Sequence, residues 1–262
     1  MVRKLFRDDW NEYSRGDYRV VNNVWNKGDL VNGQDYTQSV RFNTTDLSRD
    51  VLFRWDWPRI DEVIAYPEIV VGYKPWDRDS GTNNLTTRIS TLDTFKVGVD
   101  YDISGQTGQF NVAFDLWLTE KRHAGPASIT TELMIWTHDG NLTPAGEKVG
   151  MYRHGDFRAE IWVAEDFTDS SGASNATWRY IALRAVDEIR TDRIDIARIL
   201  DVLVKRDLVD ELDFVNGYEF GAEITGGKGM LNIHSLRHQF SVDTDAAAAH
   251  SFDAQAADTF VF

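Results

Sequence analysis

The chain has 262 residues, of which 42% are hydrophobic and 12% aromatic, so it can build a core and is not a disordered protein. A formal net charge of −14 argues against a nucleic-acid partner, because phosphate binding wants a basic face. There is no cysteine, which excludes disulfides and thiolate metal sites. At the N-terminus, MVRKLFRDDWNEY lacks the apolar stretch of a secretory signal. No run of about 18 apolar residues marks a membrane helix. DYRVVNNVW (17–25), EIVVGYK (68–74), TFKVGVDYDI (94–103) and QFNVAFDLWLT (109–119) then follow as β-rich segments between Gly, Asn and Asp punctuation.

ITTELMIWTHDG (129–140) places one carboxylate in a run that otherwise reads as a buried strand. Alternation puts Glu132, Met134 and Trp136 on one face and Leu133, Ile135 and Thr137 on the other. AEIWVAE (159–165) and WRYIALRAV (178–186) are further strands. TDRIDIARILDVLVKRDLV differs, with Ile196, Ile199, Leu200 and Leu203 at helical spacing. It predicts one substantial helix at about 191–206, capped by Thr191 or Asp192. YEFGAEI and GMLNIHSLRHQF are two more strands around the Gly226-Gly227 turn. The fold class is therefore all-β, built from antiparallel sheets with one helix late in the chain.

From about Asp243 the chain becomes alanine-rich and loses this pattern. The expected division is a domain at 1–240 and a tail or linker at 241–262. The last residues, ADTFVF (257–262), weakly resemble the end of a repeat in calcium-binding repeats-in-toxin proteins. Such proteins often leave the cell without an N-terminal signal, which would fit an extracellular location here.

The order of motifs is more specific than any single element. YRVVNNVWN, YPEIVVGYK, FNVAFDLWL, ELMIWTHDGNLTPAG, the helix and FGAEITGGKGML follow one another. This set resembles glycoside hydrolase family 12 over roughly residues 17–240. The resemblance implies a β-jelly roll of two packed, curved antiparallel sheets. It also implies a retaining endo-β-1,4-glucanase or xyloglucanase that acts on polysaccharide as a monomer, with no cofactor, metal or membrane.

Retaining chemistry needs two carboxyl groups about 5–5.5 Å apart across the scissile bond. By the resemblance, Glu132 is the nucleophile and Glu223 the acid/base. Glu223 should have its pKa raised by an anionic neighbour and partial burial. Asp115 matches the aspartate that supports the nucleophile, although Phe114 stands where the family has tyrosine. Asn22 and Trp25 match sugar-binding residues on the non-reducing side. Met134 and Trp136 match the cleft floor, and Pro144 the loop after it. Glu219, four residues before Glu223, is the rival for the acid/base role. Trp55 and Trp117 read as core, and the six histidines show no ligand spacing. The alternatives are a non-catalytic carbohydrate-binding jelly roll and a xylanase of related fold.

Overall fold

The computed structural model describes residues 2–60, 62–76, 85–105, 108–168 and 175–243. Its first strands are β1 (Arg3–Phe6), β2 (Glu12–Arg15), β3 (Tyr18–Val21), β4 (Thr37–Asn43), β5 (Val51–Trp57) and β6 (Glu68–Gly72). Next come β7 (Thr87–Arg88), β8 (Leu92–Gly105), β9 (Val112–Thr119), β10 (Ile129–His138), β11 (Glu147–His154), β12 (Phe157–Phe167) and β13 (Trp178–Ala185). The chain continues through β14 (Thr191–Asp195), α1 (Ile196–Val204), β15 (Phe214–Val215), β16 (Gly217–Gly221) and β17 (Gly227–Val242). Two sheets form. One is six-stranded, in the order β1-β4-β5-β17-β8-β14. The other is eleven-stranded, with the path β11-β12-β13-β10-β9-β16-β6-β3-β2 and the short β7 and β15 beside it. This is the two-sheet jelly roll that the sequence predicts.

Alternation builds the core. In β9, Phe114, Leu116 and Leu118 point into the main cluster between the sheets, and in β10 Leu133 and Ile135 do the same. A second, smaller cluster lies on the other side of the large sheet. It holds Ala113, Met134, Trp136, Tyr180 and Ala182. That side is the cleft side.

Three details depart from the sequence reading. The helix is shorter, starting at Ile196 rather than about 191. Residues 191–195 are instead drawn into the small sheet, pairing from Thr191↔Asp100 to Asp195↔Lys96. The 3.6-residue apolar period begins only at Ile196, so nothing in TDRID resists a strand. The cap is Asp195, whose carboxylate accepts from the Arg198 N–H at 3.1 Å. Second, β10 and β13 pair in parallel. The β10–β11 connection lies on the cleft side, where Leu142 and Ala145 pack on the second cluster. Third, β17 continues past residue 240, and the Asp243 N–H donates to the Thr91 carbonyl at 2.9 Å. The rest of the expected tail, including ADTFVF, lies outside the described residues.

Candidate active site

β9 lies between β10 and β16, and residues opposite one another in antiparallel strands share a face. Glu132 pairs with Trp117, Met134 with Asp115, and Asp115 in turn with Glu219. Two consecutive strands, β9 and β10, and the distant β16 thus present Asp115, Glu132 and Glu219 on one face. Glu223 follows β16 and is brought to the same cleft by Asn111. The Asn111 N–H donates to the Glu223 carbonyl at 3.0 Å, and its side-chain carbonyl accepts from the Glu223 N–H at 3.2 Å. The cleft has a volume of about 1130 Å³.

The two glutamates have unlike surroundings. Glu132 is 7% exposed, and its carboxylate accepts the Trp178 indole N–H at 2.7 Å. Glu223 keeps some surface open to the cleft but is crowded by protein atoms, and this burial pushes its pKa up to about 7. The Asn111 side-chain amide donates to the same carboxylate and opposes part of that rise. Of the two causes expected from the sequence, burial and an anionic neighbour, burial is the one that raises it. Asp115 is raised well above the usual carboxylate range, first by burial and then by the charge of Glu132. A protonated Asp115 has a proton to donate within this cleft. These pKa values set a test. Asn111→Ala removes a donor to ionised Glu223, so the basic limb of the kcat/KM profile should move above the value near 7 expected for the wild-type chain.

The structure distributes the expected sugar-binding residues unevenly. Trp25 and Trp136 line the cleft. Met134 is 1% exposed and lies beneath the floor, where its sulfur accepts from the Trp136 indole and the Tyr180 hydroxyl. Pro144 is buried, and its neighbours Thr143 and Ala145 line the cleft instead. Asn22 is fully buried and donates to the Asp8 carbonyl at 3.0 Å. Asn23 faces the cleft, sharing parity with Arg19 and Val21. Trp117 is not core. It has the parity of Asp115, so it lines the cleft, where it packs edge-on against Trp76 and Trp178. Trp55 is core, as expected.

The sequence reading missed a buried polar network. Lys74 donates to Glu68 at 2.9 and 3.1 Å and to Glu219 at 2.8 Å. Asn23 donates to Glu68 at 2.8 Å, and the Trp117 indole to Glu219 at 3.1 Å. Glycines make this approach possible. Gly72 faces Gly217 across β6 and β16, and a Cβ on Gly72 would meet the Asn216 carbonyl oxygen at 2.4 Å. The signal was present, since Glu68 in EIVVG is a lone carboxylate in an apolar strand, as Glu132 is in its own. Among the described residues, no group of three or more His, Asp or Glu side chains could hold a metal ion.

The cleft is larger than the ~300–1,000 Å³ of ordinary small-molecule sites. Indole faces beside carboxyl groups suit flat pyranose rings with many hydroxyls. Such a groove on a jelly roll is the site of a polysaccharide hydrolase. The chain belongs to glycosyl hydrolase family 12, whose family model matches residues 16–243. Endoglucanase S of Pectobacterium parmentieri is 27% identical over 228 residues, covering 86% of this chain and 82% of the relative. A family 12 xyloglucanase from Bacillus licheniformis superimposes with a TM-score of 0.79 at 24% identity, over 91% of this chain and 100% of that one. Endoglucanase cel12A from Rhodothermus marinus gives 0.73 at 22% identity, over 91% and 99%. Among the described residues, no helix is long and apolar enough to cross a membrane.

Proposed function

We propose that this glycoside hydrolase is a retaining, endo-acting enzyme for β-1,4-linked glucans, with Glu132 as nucleophile and Glu223 as acid/base. One observation carries the assignment. The two carboxyl groups share a cleft in unlike settings, Glu132 held by a buried indole N–H and Glu223 lifted to about 7 by burial. Glu132 attacks the anomeric carbon while Glu223 gives its proton to the leaving oxygen. Glu223 then takes a proton from water, which releases the sugar from Glu132 with retained configuration. Asp115 donates toward Glu132 and holds its orientation. Glu219 is unsuited to the acid/base role because Lys74 and Trp117 already occupy its oxygens.

The open groove suits attack within a chain rather than at its end. Trp25 and Trp136 offer apolar faces to sugar rings. The names of the relatives point to cellulose-type glucan and to xyloglucan as substrates; we infer that the enzyme meets them outside the cell as a monomer. The test is hydrolysis of carboxymethyl cellulose, barley β-glucan, tamarind xyloglucan and birchwood xylan. Cleavage of glucan or xyloglucan with a fall in viscosity ahead of reducing-end release is expected. Binding with no cleavage on the whole panel would favour a carbohydrate-binding role. Preference for xylan would move the reading to a xylanase.

A further inference from the structure

We propose that Lys74 is a positioning residue that sets the charge of the catalytic floor, clamping Glu68 and Glu219 so that Glu132 ionises in a crowded acidic cleft. The proposal rests on the assignment of Glu132 as the nucleophile. The geometry begins with charge counting. Glu68 on β6, Glu219 on β16, Asp115 on β9, Glu132 on β10 and Glu223 after β16 all face this cleft. On the far strands, Arg19 of β3 is tied to Glu12 of β2 at 3.0 Å. Among the described residues, Lys74 is the cation bonded to the floor carboxyls Glu68 and Glu219, and it is only 11% exposed; Glu62 also lines the cleft.

Lys74 does not reach for substrate, because its ammonium already donates to three carboxylate oxygens. What it does is fix two carboxyl groups that flank the catalytic strands. Glu219 lies directly across from Asp115 in the β16–β9 register. Asp115 in turn lies one strand from Met134, two residues from the nucleophile on β10. The ammonium balances the negative charge of ionised Glu68 beside the catalytic strands. Burial alone would raise Glu68, but the Lys74 charge together with the hydrogen bonds from Glu219, Lys74 and Asn23 outweighs it and holds Glu68 below the usual range. Glu219 is pushed well above that range by burial and by the Glu68 charge. Glu68 and Lys74 therefore form a neutral pair beside a protonated Glu219. Lys74 also lowers the pKa of Asp115, against burial and Glu132. Without the ammonium, a Glu68 that stays ionised leaves an unbalanced negative charge on the floor, against which the nucleophile ionises less readily.

The sign follows directly. A nucleophile must be ionised, so its pKa appears as the acid limb of the kcat/KM profile. Lys74→Gln removes the charge but keeps an amide that can donate to both partners. The acid limb should move up by about one pH unit. The basic limb should stay, because Glu223 is governed by burial and Asn111. Lys74→Arg keeps the charge and should keep the wild-type limb. A loss of activity equal at every pH, with the acid limb unmoved, would show Lys74 to be merely structural and overturn the proposal. Near-UV circular dichroism of the tryptophans checks that each variant is folded. If Lys74→Gln does not fold, a carboxyl carbon NMR titration of the wild-type protein decides. Glu68 ionised with Glu219 protonated near pH 5.5 supports the proposal, and the reverse or both ionised overturns it. Glu132→Gln run alongside separates the two levels. Full turnover in that variant removes the underlying assignment, whereas a dead Glu132→Gln with an unmoved limb in Lys74→Gln rejects the role of Lys74 alone.

Discussion

Glu132→Gln is expected to lower kcat on soluble β-glucan by at least about 10⁴-fold, equivalent to about 5.5 kcal/mol of lost transition-state stabilisation. Glutamine is nearly isosteric but cannot form the glycosyl ester, so the double displacement has no first step. The amide oxygen can still accept the Trp178 indole N–H that Glu132 accepts at 2.7 Å, so the floor keeps its shape. Binding of a cello-oligosaccharide should therefore stay within a few-fold of wild type. Calorimetric titration together with reducing-sugar release measures both. Wild-type turnover in this variant would remove Glu132 from the nucleophile role. A collapse of binding along with turnover would mean that the substitution had disturbed the cleft rather than the chemistry.

The second large effect belongs to Glu223→Ala. General acid catalysis is worth roughly 10²–10⁴-fold, and its loss should depend on the leaving group. On glucan the full loss is expected, because an alkoxide cannot leave unprotonated. On a cello-oligosaccharide with a dinitrophenyl leaving group the first step should survive, and the glycosyl-enzyme should accumulate. Azide is small and needs no general base, so it should restore turnover and yield a β-glycosyl azide. Proton NMR of the anomeric hydrogen gives the configuration. An α-azide would mean that the enzyme inverts, and absence of rescue would point to another acid/base. Glu219 is the natural alternative, but its hydrogen bonds to Lys74 and Trp117 leave it poorly placed to exchange a proton with substrate.

The two glutamates proposed as catalytic stand out in the sequence because each interrupts a pattern. Glu132 breaks an apolar strand, and Glu223 stands before a double-glycine turn. Asp115 was legible by resemblance. Trp117 was misread as core although the alternation that exposes Asp115 also exposes residue 117. Asn22 was chosen from an Asn-Asn pair whose register the chain alone does not display. Parity along β3 turns Asn23 toward the cleft, while the Asp8 carbonyl takes the Asn22 side chain. The helix start was misplaced because a strand partner, β8, lay about 100 residues away in sequence. Pairing with it overrides any local preference of TDRID.

The amino-acid sequence by itself determined the class of fold, through alternation that sorts each strand into a core face and a cleft face. It also determined the identity of the acidic residues, since a carboxylate in an apolar strand must have a partner or a task. Only the tertiary structure decided which carboxyl groups meet. Glu68, Lys74, Asp115, Glu132 and Glu219 come from four strands and a loop, and strand order and register are long-range properties. It also decided how protons are shared among them. A pKa depends on burial and on charges across space, which a linear chain does not contain.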